Sequence, residues 1–382
     1  MLEQAILYNK HKALASIVME DGTVKEIAQC LDEELLPIIL QGNLTEDTLN
    51  EWLMKRRIPE AREGYGAVKR EFPNIGRSRN EFSLSDQYWI FYKGGETWDS
   101  LNFFTNPYSE DFGRAFFVPW EYKIRHKFPQ SPDMTTNGAL RKRWTRGPDG
   151  TSYLLKAGSK THHQEPITEV LASIMLKKLD IIPYVEYELV IDGMKLCSRC
   201  RNFVDKNSEF VPASHIYFKE RRPKARSVYE HLLLMCEKYG ISDARDYVDA
   251  MIFADHVLGN DDRHLGNFGF LRDVRTGVIK GFAPLFDSGS SYGIINGRQN
   301  RSKFFHDREK EVIRKYAGTF DPRKIMDHNE AYSLIDTYPE ITKRQRDALK
   351  EFLLYMEQVL INGQNEAKIG RIGSRTVDGP SF

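Results

Sequence analysis

Apolar and polar positions change their spacing along the chain, and the changes mark out its zones. In residues 1–125, Asp21-Gly22 predicts a hairpin turn. Ile27, Leu31, Leu35 and Ile38 recur at helical spacing and predict a helix over Val24–Leu40, which Pro37 ends or kinks. A second helix starts at the cap Thr45, carries Leu49, Trp52 and Leu53, and stops before Pro59. Residues 80–125 are dense in aromatic side chains: Tyr88, Trp89, Phe91, Tyr92, Trp98, Phe103, Phe104, Phe116, Phe117 and Trp120. Aromatics at this density fill a core or an interface.

Residues 126–205 read as strand, strand, helix, strand, strand. Ser152–Ala157 is a strand that carries Lys156 near its end. Pro166 suits a first helical turn, and Ile167, Leu171, Ile174 and Leu179 continue that helix. Val185–Ile191 and Lys195–Val204 are strands joined at Asp192-Gly193. Residues 206–362 are mainly helical. Helices are predicted over Val228–Tyr239, from the cap Ser242 to Leu258 with Gly259 ending it, and over Lys343–Leu360. Between the last two, Phe268–Leu271 and Val278–Phe282 form a hairpin. The polar, glycine-bearing residues 363–382 read as a flexible tail.

Composition removes several function classes. Lys and Arg number 55 against 54 Asp and Glu, a net charge of +1, so direct nucleic-acid binding through a whole-molecule basic field is excluded. No run of about 18 apolar residues predicts a membrane span. Glu3, Gln4, Asn9, Lys10, His11 and Lys12 interrupt the N-terminus, which is therefore not a secretory signal. Four cysteines in 382 residues are too few for a disulfide framework, and the chain is expected in a reducing cytoplasm.

The densest chemistry is the loop Asn260-Asp261-Asp262-Arg263-His264-Leu265-Gly266-Asn267. Asp262 and Asn267 stand five residues apart, and Asp287 lies 20 residues beyond Asn267 in Phe286-Asp287-Ser288-Gly289. The predicted hairpin runs between them, and antiparallel pairing returns Asp287 to the neighbourhood of Asn267. An amide oxygen and a carboxylate at one place suit Mg²⁺, which takes few protein ligands and keeps positions for phosphate and water. Asp262 is then placed to orient or deprotonate a hydroxyl. Asp, a five-residue step, Asn, then Asp-x-Gly is the division of labour of protein-kinase sites. Such a site also needs a phosphate-binding lysine on a strand and a carboxylate on a helix to hold it. Lys156 and, 13 residues later, Glu169 fit those roles. Upstream, Thr135-Thr136-Asn137-Gly138-Ala139-Leu140-Arg141-Lys142 is a polar turn whose glycine lets backbone amides approach phosphates.

Together these residues resemble the HipA-like kinases, bacterial toxin Ser/Thr kinases, over about residues 130–360. In that family a loop S-x-x-G-x-x-x-K precedes the ATP-binding lysine; Thr135, Gly138 and Lys142 stand in that register, with Thr136 beside them. The family's strand lysine is matched by Lys156 and its helix-start Asn-Glu by Thr168-Glu169. Its D-x-H-x-x-N is Asp262–Asn267, with His264 at the third position, and its P-x-x-D aspartate is Asp287 after Pro284. The adenine-binding hinge falls near Arg201–Asp205, with Arg201 and Phe203 as contacts. The resemblance implies an α+β, two-lobed protein-kinase-like fold with an extra N-terminal α/β module. Its parts would be an accessory module at 1–125, an ATP-binding lobe at 126–205, a helical catalytic lobe at 206–362 and a tail at 363–382. It implies ATP and Mg²⁺ as cofactors, a protein substrate with a Ser or Thr hydroxyl, autophosphorylation and an antitoxin protein partner. Two departures stand out: the loop's serine is Thr135, and residues 1–125 do not match the toxin's N-terminal subdomain in sequence.

Asp262-Arg263-His264-x-x-Asn267 is also similar to the catalytic loop of phosphoinositide kinases, which makes a lipid or small-molecule kinase the alternative. A kinase-like binding module without turnover is a third reading. Other signals carry less. A single C-x-x-C, Cys197 to Cys200, lacks two further zinc ligands nearby. His162-His163 reads as a solvated loop, and the basic runs Arg141–Arg146 and Lys219–Arg226 as solvated faces. A helix-turn-helix drawn across 24–57 is a pattern too common to carry DNA binding.

Overall fold

The structure is a computed structural model of the full chain. It describes residues 1–71, 83, 85–117, 131–133, 138, 140–159, 163–193, 195–292, 305–316, 318–319, 321–325 and 328–375. Thr135, Thr136, Asn137, Ala139, Trp120 and His162 lie outside the described residues.

In chain order the first elements are β1 (Glu3–Asn9), β2 (Lys12–Glu20), β3 (Thr23–Cys30), α1 (Glu46–Lys55), α2 (Tyr65–Glu71), β4 (Tyr88–Tyr92), α3 (Trp98–Leu101), α4 (Glu110–Phe117), β5 (Lys142–Arg146) and β6 (Ser152–Ala157). Then come α5 (Glu165–Leu179), β7 (Tyr187–Asp192), β8 (Lys195–Arg201), β9 (Ser208–Pro212), α6 (Ala213–Tyr217), α7 (Val228–Lys238) and α8 (Ala244–Leu258). The last are β10 (Gly269–Asp273), β11 (Ile279–Phe282), α9 (His306–Tyr316), α10 (His328–Thr337) and α11 (Lys343–Arg375). The chain forms two compact units. Unit 1 holds Met1–Ser159, Arg199–Arg221 and Gly269–Ala283; unit 2 holds Lys160–Ser198, Arg222–Phe268 and Pro284–Phe382.

In unit 1 an antiparallel sheet runs β3-β2-β1-β4. One face packs Leu7, Leu14, Ile17 and Ile90 against Leu49, Trp52 and Leu53 of α1. The expected helix over Val24–Leu40 is not formed. Its first part is strand β3, paired with β2 around the Asp21-Gly22 turn, and Ile38–Leu40 is a short 3₁₀ turn after Pro37. Two register shifts explain the misreading. Val24 and Ile27 are three apart in sequence, yet they face Met19 and Ile17, which are two apart. A bulge thus turns a strand's period into a helix's. The edge of β3 is covered by α1: Asn50 accepts from Val24 N at 2.8 Å and donates to Val24 O at 2.9 Å, and Glu46 accepts from Ile27 N at 3.1 Å. With its first helix gone, the helix-turn-helix drawing goes too.

The aromatic stretch fills a second core of unit 1, as its density predicts: Trp89, Trp98 and Phe103 are buried with Tyr8, Phe91, Tyr108 and Trp144 around them. The basic run on β5 is not a solvated face. Arg141 is buried and donates to Glu63, Phe117 O and Gly158 O; Arg143 donates to Glu110; Arg146 donates to Phe103 O, Phe104 O and Asn106 O. These arginines hold residues 101–117 onto the β5–β6 pair.

A three-stranded sheet of unit 1, β11-β10-β9, carries the predicted hairpin, now β10 and β11. Its buried polar centre is Arg272, which donates to Glu209 Oε1 at 3.0 Å, Tyr88 Oη at 3.1 Å, Leu36 O at 2.9 Å and Gly277 O at 2.7 Å. Burial pushes the Glu209 carboxyl up to about 7, against the opposing pull of Arg272. The folded form keeps this proton to a higher pH than the unfolded chain does. The contribution is therefore full below the ordinary glutamate range and is lost as the pH rises through about 7. Glu209→Gln is expected to flatten this fall, from about pH 4.5 to 7, while keeping the hydrogen-bond geometry. Urea denaturation at pH 5, 6, 7 and 8 checks it, and a slope equal to wild type rejects it.

In unit 2, α5 begins at Glu165 with Pro166 in its first turn, as expected. Helix α8 starts after Asp243, one residue later than the predicted cap Ser242. The C-terminal helix continues past Leu360 to Arg375, and residues 376–382 lie outside the described residues. All four cysteines are free thiols, with Cys197 and Cys200 buried.

Candidate functional site

Helix α8 ends where Gly259 takes a left-handed conformation, φ 60°, and releases the chain into the Asp262 loop. Asn260 makes the turn stiff. Its backbone N donates to Asp255 O at 2.9 Å, its amide donates to Asp255 Oδ1 at 2.8 Å, and its Oδ1 accepts from Asp262 N at 3.2 Å. Asp262 is exposed. His264 is exposed too, and its Nδ1 accepts from Gly266 N at 3.0 Å, shaping the turn that leads to Asn267. Asn267 is buried, and its Nδ2 donates to Asp262 O at 3.2 Å. That bond decides which way the carboxamide is turned: the nitrogen faces the loop's own carbonyl and the oxygen faces away from it.

Asp287 comes to the same place. Arg263 Nη1 donates to Asn267 O at 2.8 Å and to Phe286 O at 2.6 Å, so one nitrogen ties the end of the loop to the peptide leading into Asp287. Asp287 has φ 59°, a left-handed conformation that aspartate tolerates better than most residues. Its N–H points to Tyr187 Oη at 3.4 Å. The segment before it is held by Leu285, which exchanges backbone bonds with Pro183 O at 2.7 Å and Val185 N at 2.8 Å. The segment after it packs on the first turns of α5. Thr168 Oγ1 donates to Gly289 O at 2.6 Å. Gly289 packs on the side chains of Glu165 and Glu169, where an added Cβ would stand at contact distance, 3.4 Å from Glu169 Cγ. Glu169 is 2% exposed and accepts from Ser198 Oγ. Asp262, Asn267, Asp287 and Glu169 are thus brought into one connected region of unit 2.

Unit 1 holds the other predicted group. Lys156, near the end of β6, is buried and stands directly opposite Lys142 of β5. Residues paired this way point to the same face, and like charges so placed are unfavourable by themselves. Gly138 has φ 97°, a conformation that side chains rarely adopt, so its backbone favours glycine, and the Lys142 ammonium lies close to it. Gly138 O accepts from Arg62 Nε at 2.9 Å. Arg201 ends β8 and is exposed; Phe203 packs edge-to-face on Phe210, 5.7 Å between centroids. Asn202 N, between them, donates to Ser152 O at 2.9 Å.

Asn267 and Asp287 offer hard oxygen donors without nitrogen or sulfur, the donor set of Mg²⁺. Among the described residues no three His, Cys, Asp or Glu side chains gather as a metal cage. Two protein ligands completed by phosphate and water is the arrangement the donor set fits. The residues that sequence reasoning passed over are Asp255 and Ser198; Asn260 and Arg263 stood in the loop and Thr168 beside Glu169 without a role of their own. Asp255 offered a signal: a carboxylate inside the apolar run Ala250–Leu258.

No known family profile matches the chain, and no curated protein is similar to it in sequence. Solved structures do match. HipA of Shewanella oneidensis MR-1, in its toxin–antitoxin complex with HipB and operator DNA, superposes with a TM-score of 0.58 at 12% identity, covering 96% of this chain and 99% of that one. The chain has the HipA kinase fold. The Helicobacter pylori proinflammatory kinase CtkA matches at 19% identity with a TM-score of 0.48, over 61% of this chain and 93% of its own. The 96% coverage by HipA extends into residues 1–125, whose sequence departs from the toxin's N-terminal pattern. Among the described residues no helix is long and apolar enough to cross a membrane.

Proposed function

We propose that the chain is an ATP- and Mg²⁺-dependent protein kinase that phosphorylates Ser or Thr hydroxyls. The observation that supports it most is the convergence of Asp262, Asn267 and Asp287 through the hydrogen bonds of Asn267 and Arg263. In this reading Asp262, exposed on a loop stiffened by Asn260, receives the substrate hydroxyl and accepts its proton. Asn267 Oδ1 and the Asp287 carboxylate would hold Mg²⁺, which neutralises charge on the phosphates. Lys156 and Lys142 bind phosphate oxygens from their shared face, and Gly138 lets the preceding loop come close to them. Glu169 is the carboxylate assigned to Lys156, Thr135 and Thr136 belong to the phosphate loop, and Arg201 and Phe203 flank the adenine. His264 acts through the turn it shapes and moves no proton. Phosphoryl transfer has a loose, charge-rich transition state, so positioning and charge supply most of the acceleration.

The HipA of the superposed structure is assembled with HipB and DNA. For this chain we propose a protein antitoxin partner and a cytoplasmic place of action. The near-neutral charge, +1, argues against direct nucleic-acid binding.

The test is incubation of purified chain with Mg²⁺ and γ-labelled ATP, following label on protein and loss of ATP. Label on the chain itself supports a protein kinase, and its position shows whether Thr135 or Thr136 is modified. No label, with no nucleotide-dependent rise in Tm, rejects the reading. Nucleotide-dependent stabilisation without turnover on any hydroxyl substrate points instead to a binding module.

A further inference from the structure

We infer that Arg263 is a positioning residue that sets the affinity of the site for its divalent cation, by locking the backbones of Asn267 and Asp287 to one buried carboxylate, Asp255. This rests on the functional reading above.

Arg263 is 2% exposed and Asp255 4%. All five guanidinium N–H groups find acceptors on three separate stretches of unit 2. Nε donates to Asp255 Oδ2 at 2.9 Å, and Nη2 to Asp255 Oδ1 at 3.0 Å, a two-pronged pairing on helix α8. Nη2 also reaches Ser288 Oγ at 3.5 Å. Nη1 serves Asn267 O at 2.8 Å and Phe286 O at 2.6 Å. The fork is planar and rigid, so the two carbonyls it holds are fixed relative to each other and to α8. One of those carbonyls belongs to a proposed ligand and the other to the peptide bond entering the second. The separation of the two ligands is therefore set by Arg263 rather than by either ligand.

Stability alone is a poor reason for such a group. Burying both partners of an ion pair costs desolvation that well-packed apolar side chains would avoid. What an apolar pair lacks is the ability to hold two carbonyls of different segments. The same carboxylate, Asp255, also takes the Asn260 amide, and Asn260 in turn holds Asp262 N. The two arms have different ends. The Arg263 arm reaches the cation ligands, and the Asn260 arm reaches the residue that receives the hydroxyl.

The arms make separable predictions. The experiment measures the rise in Tm on adding ATP across an Mg²⁺ titration, together with phosphoryl transfer. Arg263→Lys keeps the charge and loses the fork. It is expected to raise the half-saturating Mg²⁺ concentration for nucleotide stabilisation by about 10–100-fold. Transfer at saturating Mg²⁺ should recover most of its rate. Asn260→Ala is expected to lower kcat and leave the Mg²⁺ requirement unchanged. Should Arg263→Lys fail to fold, the paired variant Asp255→Asn with Arg263→Gln leaves no lone buried charge and should show the same Mg²⁺ shift. An unchanged Mg²⁺ requirement in the folded variant overturns the inference. Failure of the paired variant to fold overturns it as well, since a structural role then accounts for Arg263. A wild type whose nucleotide stabilisation does not depend on Mg²⁺ overturns the functional reading, and this inference with it.

Discussion

Asp287→Asn is expected to abolish phosphoryl transfer, with a loss on the order of 1000-fold or more, because charge stabilisation at the phosphates goes with the carboxylate. The fold should survive. Asparagine tolerates the left-handed conformation that residue 287 adopts, φ 59°, and the backbone N–H that faces Tyr187 Oη is retained. Asp262→Asn should lose about 100–10,000-fold by removing the proton acceptor, again without unfolding, since the residue is exposed. The measurement is single-turnover transfer from labelled ATP beside a thermal melt of each variant. A folded Asp287→Asn or Asp262→Asn that transfers at the wild-type rate sinks the assignment.

The second large effect is on stability. Arg272→Met removes the cation from a cluster in which Glu209 is 3% exposed. It also strips donors from Leu36 O, Gly277 O and Tyr88 Oη. Leaving a carboxylate buried without its partner costs about 3–5 kcal/mol. The Glu209 carboxyl already sits up at about 7, so without Arg272 it takes up a proton more readily still. The loss should therefore be larger at pH 8 than at pH 5. Chemical denaturation at both values reads this directly. A variant as stable as wild type at pH 8 would show that Arg272 contributes packing and no more. Arg272 lies in β10 of unit 1, so a partly unfolded variant should lose the structure of unit 1 before the helical signal of unit 2.

The 12% identity to HipA leaves little common pattern, yet the kinase-like fold and the candidate site could both be proposed from the sequence. The reason lies in what each residue must do. A metal ligand and a proton acceptor are each restricted to a few residue types, so the proposed roles of Asp262, Asn267 and Asp287 can be read from residue type and spacing. The hairpin between them reads easily as well, because alternating apolar residues and the turn Arg272–Gly277 leave few other structures open. Residues 24–30 show the opposite case. Two bulges broke the alternation there, and a strand took on a helix's spacing. Nothing local to Val24 or Ile27 announces a bulge, which exists only where a partner strand defines the register.

Arg263 and Arg272 show the same limit from the side of the charges. In sequence each is an arginine in a polar or mixed stretch, and such residues ordinarily face water. Their burial depends on Asp255 and Glu209, which are 8 and 63 residues away. The basic run on β5 was misread for the same reason, because Glu63, Glu110 and the carbonyls of residues 103–117 are remote in sequence.

The sequence by itself determined the candidates: which residue types and spacings suit a cation, a hydroxyl and a phosphate, and the order of the helices and the hairpin that carry them. Local spacing and turn chemistry are enough for that, since they act over a few residues. Only the tertiary structure decided which polar groups are buried, what holds Asn267 and Asp287 at one place, and that residues 24–30 are a strand. Those outcomes depend on partners brought together by folding, and burial reverses the ordinary preference of a charged side chain only once its partner is in place.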